Sequence, residues 1–314
     1  FHNIAAGAQA PVELLEKWAK HNPIEKVYLH FDRDHYVTGE TARFRAYLSS
    51  DHLPDTISTS LQVELVSNNL NVLERVVVPV FAGTAAGQFH LSDTLRTGMY
   101  TIRAFTPFMA DHTPEFIFRK GIYISGKKTP ETNAVAKPKL VVDFFPEGGN
   151  LVTGFMNMIA FKAVDEFGLP VSVKGIVRNS KGEELVSFTD YHDGMGLFEL
   201  TPVAGEKYMA TVSGSVMQTF VLPDPVEKGL ALSVIPPPQG SFFEIHQRTG
   251  DPSFTASYLI GQMQHRVLFR YDFKAAKESL QGIIDTRQLH SGVLQLTVFN
   301  KDGLPLAERL CFVN

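Results

Sequence analysis

From Lys26 onward, apolar and polar residues alternate one by one. Val27, Leu29 and Phe31 interleave with Lys26, Tyr28 and His30, and over residues 41–49 Ala42, Phe44, Ala46 and Leu48 interleave with Arg43, Arg45 and Tyr47. Successive side chains of a strand point to opposite faces, so a period of two describes a strand with one dry face and one wet one. Runs of the same kind follow at 61–66, 72–80, 88–91, 100–106 and 116–124. Seven strands in about 100 residues is the spacing of an immunoglobulin-like sandwich.

A polar stretch, Gly126 to Asn133, follows with no apolar period, which is the composition of an exposed linker. Seven more runs come at 141–145, 155–164, 171–178, 184–189, 197–201, 207–212 and 217–222, separated by turns such as Lys181-Gly182 and Asp193-Gly194. Pro236, Pro237 and Pro238 lack the N–H a ladder needs, so the region around 234–239 reads as an edge or a loop. Beyond it the clearest strands are 254–260, 267–273, 293–299 and 306–312, with a short helix or polar crossover at 273–280. Residues 11–20 read as a short amphipathic helix: Pro11 suits a first helical position, and Leu14, Leu15 and Trp18 share a face that should dock as a small cap.

The expected fold is therefore all-β: a helix and lead-in over 1–23, a sandwich over 24–125, a linker over 126–138, and further sandwiches over 139–224 and 225–314. A length of 314 residues demands this division, because one sandwich core stops gaining buried area well before that size. A repeat supports the count. Leu95, Gly98, Tyr100 and Ile102 recur as Leu289, Gly292, Leu294 and Leu296, displaced by 194 residues, or two units of 97. Gly205 and Tyr208 form a looser copy between them. A glycine followed by a tyrosine entering a strand is the layout of a tyrosine corner, in which the phenol ties the strand to an upstream backbone carbonyl, so Gly98, Tyr100, Gly205 and Tyr208 are expected to be structural.

Composition narrows the function. Lys and Arg number 29 against 33 Asp and Glu, a net charge of -4 that gives no general attraction to nucleic acid or anionic lipid. No apolar stretch approaches the length needed to span a bilayer. The lone Cys311 sits in an apolar strand, as a small buried hydrophobe, and allows no internal disulfide. A chain that starts at Phe1 fits one from which a signal peptide has been removed.

Several clusters invite chemistry. His30, Asp32 and Asp34 at alternate positions could share a face and converge on a metal; the plainer expectation is a strand end whose carboxylates accept turn hydrogen bonds. An EF-hand starting at Asp32 would need a glycine where Val37 stands and a carboxylate where Arg43 stands. Pro146-Glu147-Gly148-Gly149-Asn150 is glycine-rich but lacks the Lys-Ser or Lys-Thr that holds phosphate, and reads as a tight turn. Glu183 and Glu184 follow a Lys-Gly turn, where solvated charge is the ordinary explanation for a pair of carboxylates. No Gly-x-Ser-x-Gly elbow is present. No catalytic, cofactor or metal residue is therefore expected. The adjacent rings Phe144-Phe145 and Phe242-Phe243 must each turn one member away from its own core, and both pairs are expected to fill interfaces between domains.

The stretch from Glu25 to Arg45 resembles the entry to a macroglobulin-like domain of the alpha-2-macroglobulin superfamily: its Asp-Lys-x-x-Tyr-x-x-Gly-Glu signature falls on Asp32, Arg33, Tyr36, Gly39 and Glu40. Phe144 to Leu151, Ala160 to Ala163, Gly168 to Val171 and Gly303 to Leu310 are similar to later modules of large surface proteins of Bacteroides-type bacteria, some fused to a plug domain of TonB-dependent receptors. The resemblance implies an extracytoplasmic, outer-membrane-associated module. The superfamily's Cys-Gly-Glu-Gln thioester is missing, since Cys311 lies in Leu310-Cys311-Phe312. The expected function is thus a non-catalytic scaffold or binding array for a protein or glycan partner, with Asp32, Arg33 and the four phenylalanines as candidate interface residues. An endopeptidase-inhibitor-like module without the thioester is the alternative, and an esterase or glycosidase built on loops is a third.

Overall fold

The computed structural model describes residues 11–50, 53–127, 140–165, 168–214, 217–235 and 241–313. The chain divides into two compact units, one of residues 18–136 and the other of 137–314 with the start of the chain up to Lys17. The expected linker falls largely outside the described residues, as do Pro236 to Pro238.

The helix α1 (Pro11–His21) precedes the first unit's strands: β1 (Glu25–Phe31), β2 (His35–Val37), β3 (Thr41–Ser50), β4 (Leu53–Pro54), β5 (Ser60–Val66), β6 (Val72–Pro79), β7 (Thr84–His90), β8 (Gly98–Phe105) and, after the short helix α2 (Pro107–His112), β9 (Phe118–Ser125). One sheet joins β1, β4 and β7 to β3; the other runs β2-β9-β8-β5-β6, with β2 parallel to β9 and every other pair antiparallel.

The second unit holds two more sandwiches. The first comprises β10 (Val141–Pro146), β11 (Asn157–Val164), β12 (Lys174–Arg178), β13 (Glu184–Thr189), β14 (Met195–Leu200), β15 (Met209–Ser213) and β16 (Met217–Val221). The next comprises β17 (Leu230–Ile235), β18 (Ser241–Gln247), β19 (Tyr258–Met263), β20 (Arg266–Asp272), β21 (Ser279–Ile284), β22 (Gly292–Phe299) and β23 (Pro305–Val313). Their sheets are β10-β11-β14 with β13-β12-β15-β16, and β17-β18-β21 with β20-β19-β22-β23. In both, the first, second and fifth strands make one sheet and the fourth, third, sixth and seventh the other. The first unit repeats this wiring once the short β2 and β4 are set aside.

Three separate cores result, centred on Leu29, Phe89 and Ile122, on Phe161, Val177 and Ala210, and on Phe243, Leu259 and Leu296. Each uses the same packing device. Phe44 faces Gly87 across the β3/β7 ladder, Phe161 faces Gly196, Phe188 faces Gly175, Phe243 faces Gly282 and Phe269 faces Gly261. In every pair the ring lies over the glycine: a Cβ there would come within 2.1 to 2.7 Å of a ring carbon. An aromatic ring covering a cross-strand glycine shields exposed backbone and fixes register.

The repeated corners superpose in detail. Leu95 and Leu289 each donate a backbone bond three residues back, to Ser92 and Thr286, both at 3.1 Å, and Gly98 and Gly292 have φ of 158° and 156°. Tyr100 Oη donates to Arg96 O at 2.8 Å, as a tyrosine corner does. At Tyr208 the expected polarity is reversed: its hydroxyl accepts from Val203 N–H at 2.8 Å. The third copy has no phenol, and Leu294 fills that site, fully buried.

Three expectations are corrected. Helix α1 buries none of its residues, and Leu14 and Trp18 remain 48% and 44% exposed; the helix meets the third sandwich through Pro11, beside Gly303. A strand occupies 230–235, where buried residues follow one another without alternation, so a period-two search passes over it. A strand, β21, begins within the 273–280 segment expected to be a helix or crossover.

Candidate functional site

The segment from Asp32 to Glu40 is one interlocked turn. β1 ends at Phe31, so His30, Asp32 and Asp34 do not lie on one strand face. His30 stays on the outer face of β1. Asp32 Oδ1 accepts from Tyr36 Oη at 2.6 Å and from Arg43 N at 3.1 Å, while Asp34 pairs with Lys120 at 2.7 Å. Glu40 accepts from Val37 N at 2.7 Å and from Arg33 Nη1 at 3.1 Å, and the Arg33 guanidinium sits 5.2 Å from the Tyr36 ring centre. Gly39 has φ of 85°, and a Cβ there would stand 2.6 Å from Asp93 Oδ1. Burial opposes the charge on Asp32, but the Tyr36 hydroxyl, the Arg43 N–H and Arg33 outweigh it and hold the carboxyl below its usual range. Burial, with Asp32 as hydrogen-bond partner, pushes the Tyr36 phenol upward. Asp32 and Arg33 thus bond within their own turn and to β3, while the Arg33 side chain stays half exposed.

The glycine-rich turn at 146–150 has a second role that its sequence did not announce. Glu147 Oε1 accepts from Val234 N and from Arg309 Nε, both at 2.9 Å, and Gly148 O accepts from Glu308 N at 3.2 Å. The turn therefore fastens the second sandwich to the third. Arg248 makes a further clasp, donating to Thr153 O at 2.6 Å and Glu227 O at 2.8 Å and lying 5.0 Å from the Phe155 ring centre. The phenylalanine pairs, expected at interfaces between domains, lie elsewhere. Phe144 points inward, edge-on to Phe188 and Phe198, and Phe145 is 53% exposed beside Ala160 and Leu197. Phe243 is in the third core, and Phe242 lies half-buried between Ile235 and Ile283 on the outer face.

Glu183 and Glu184 are also engaged locally, with Asn179 Nδ2 at 2.7 Å from Glu183 and Arg178 bonded to Glu184. Cys311 is half-buried against the third core rather than enclosed in it, and burial raises its thiol pKa.

An open groove of about 730 Å³ lies on the outer face of β13-β12-β15-β16. Register explains its shape. One row across the four strands, Ser187, Ile176, Thr211 and Thr219, carries short or compact side chains. The row on one side, Thr189, Lys174, Ser213 and Met217, lines the groove, and from the row on the other side, Glu184, Arg178, Met209 and Val221, Arg178 does, so Lys174, Met217 and Arg178 are the long side chains at its edges. The flanking rows are four residues apart along β12, or about 13 Å. Arg178 is braced by Glu184 and by Thr211 Oγ1 at 3.4 Å, and Thr211 and Thr219 hydroxyls face each other at 3.4 Å. The lining offers hydroxyls, two cations and the apolar surfaces of Ile176 and Met217. None of these residues stands out in the sequence, because the groove exists only once four strands are aligned.

Fold and groove together define a tandem immunoglobulin-like β-sandwich module. No protein-family model and no curated protein matches the chain. Among solved structures it is similar to an alpha-2-macroglobulin mutant from Salmonella, at 10% identity and TM-score 0.29 over 92% of this chain and 23% of that one. It is similar also to Escherichia coli alpha-2-macroglobulin activated by porcine elastase, at 12% identity and TM-score 0.28 over 93% and 31%. A third is the BSP domain of a biofilm associated protein, at 10% identity and TM-score 0.30 over 92% and 66%. The chain spans between a fifth and a third of the length of these macroglobulins. Its fold is defined by its own strand order.

Proposed function

We propose that the chain is a non-catalytic binding module that works outside the cytoplasm, at the bacterial envelope, and holds a linear partner, a glycan or an extended peptide, in the groove across β13-β12-β15-β16. The carrying observation is the groove: an open concavity over β12, lined by the hydroxyls of Ser187, Thr189, Thr211 and Ser213 and edged by Lys174 and Arg178 about 13 Å apart along the strand, suits one extended chain. The polar clusters that could have supported catalysis are instead committed to turns and to the seam between sandwiches, as Asp32, Glu40 and Glu147 illustrate. Among the described residues no helix is long and apolar enough to cross a membrane. Lys174 favours ligands carrying carboxylates, while Arg178 is already bonded to Glu184.

Arrays of envelope glycans and of peptides, probed with the purified chain, test this. Saturable binding that is weakened by Lys174→Glu supports it, and binding indifferent to that substitution, or none to any linear ligand, removes it.

A further inference from the structure

The first sandwich buries two carboxyl groups against each other. Glu25, the first residue of β1, is 0% exposed, and Asp55, after β4, is 1% exposed. Burying a lone carboxylate is costly, and burying two neighbouring ones without a cation is costlier still. Their partners are unevenly shared. Asp55 Oδ1 accepts from Ile57 N at 3.2 Å and Oδ2 from Ser58 N at 3.0 Å, so its charge is held by two backbone donors. Glu25 Oε2 accepts from the Thr106 hydroxyl, whose oxygen in turn accepts from Met109 N at 3.0 Å and caps α2. Glu25 Oε1 is buried with no hydrogen-bond partner among the described groups, and Asp55 lies beside it.

Among the described residues no cation faces the pair. On β1, Lys26 points to the other face, toward the Phe116 ring. The register partner on β3 is Ser50, Lys120 of β9 is paired with Asp34, and Arg119, Asp111 and His112 are exposed. Among the described residues Asp55 is the charged group that faces Glu25; the Thr106 and Ser58 hydroxyls beside it favour its charge, but less than burial opposes it. A proton on Glu25 supplies the missing donor.

We propose that Glu25 keeps a proton in the folded state, directed at the buried Asp55, and that this proton makes the first sandwich pH-responsive, tightening in mild acid and loosening as the medium turns alkaline. The proton ties together β1, the β4–β5 loop and the cap of α2. Burial, the first cause, and Asp55 raise the Glu25 pKa in the folded state. The folded unit therefore keeps a proton that the unfolded chain has released. Stability is complete below the ordinary glutamate range and falls as pH climbs from there through the folded-state value, by up to about tenfold in the unfolding constant per pH unit. Asp32, Asp34 and Glu40, whose pKa values are lowered, act only at lower pH and with the opposite sign.

The test is hydrogen exchange, read by mass spectrometry on the full chain at pH 5, 6.5 and 8 and corrected for intrinsic exchange, in peptides covering 25–31 and 53–66. In the unaltered chain protection should decline with pH. In Glu25→Gln, which accepts from Thr106 and donates to Asp55 without needing a proton, the decline should vanish and protection at pH 8 should exceed that of the unaltered chain. An equal decline in Glu25→Gln, or lower protection than the unaltered chain at every pH, overturns the proposal. Should that variant fail to fold, Asp55→Asn takes its place: a flattened profile supports the proton on Glu25, and an unchanged slope refutes it.

Discussion

Two acidic turns of this chain look alike in sequence and do opposite things. The side-chain bonds of Asp32 and Glu40 all close within about a dozen residues, and they serve only their own sandwich. Glu147, in an equally short turn, bonds to residues 87 and 162 positions away and joins two sandwiches. A carboxylate's role follows from where its donors lie along the chain, and only near donors can be anticipated from local pattern.

Glu147→Ala should bring the largest loss, about 3 kcal/mol, because a backbone N–H and a guanidinium both lose a nearly buried acceptor that joins two sandwiches. Urea unfolding should then resolve the second and third sandwiches as separate transitions; one unchanged transition would break the contrast. Gly261→Ala comes next, at about 2 kcal/mol, since the added Cβ would stand 2.1 Å from the Phe269 ring. Its effect should stay within the third sandwich, as followed by hydrogen exchange. Asp32→Ala should cost about 1 to 2 kcal/mol and leave the 137–314 unit untouched. Its folded-state pKa is lowered, so the stability it gives is present above the ordinary aspartate range and is lost as pH falls through the folded value. An acid titration of Asp32→Asn should therefore lack part of the acid destabilisation seen in the unaltered chain. Tyr100→Phe should be the mildest, about 1 kcal/mol from one lost bond.

Alternation made most of the sandwiches legible, because β1, β3, β11 and β14 each bury every second residue. It failed at β17, where Leu230, Ala231 and Leu232 are all buried, and at α1, whose apolar stripe suggested more burial than the helix achieves. The Asp32 turn was readable as turn chemistry, while the exposure of Phe145 was not, since nothing local tells whether a neighbouring domain will cover a ring. The groove was invisible for a deeper reason. Ser187, Ile176 and Thr211 become a floor only through two strand registers, and register depends on pairing such as Phe188 over Gly175.

The most direct test fills that groove. Thr211→Trp places a large ring on the outer face of the floor, away from the core, and isothermal titration with a linear ligand selected from the arrays compares it with the unaltered chain. The groove account predicts at least tenfold weaker binding with the thermal unfolding of the chain unchanged. Equal affinity in the filled and unfilled proteins would contradict it.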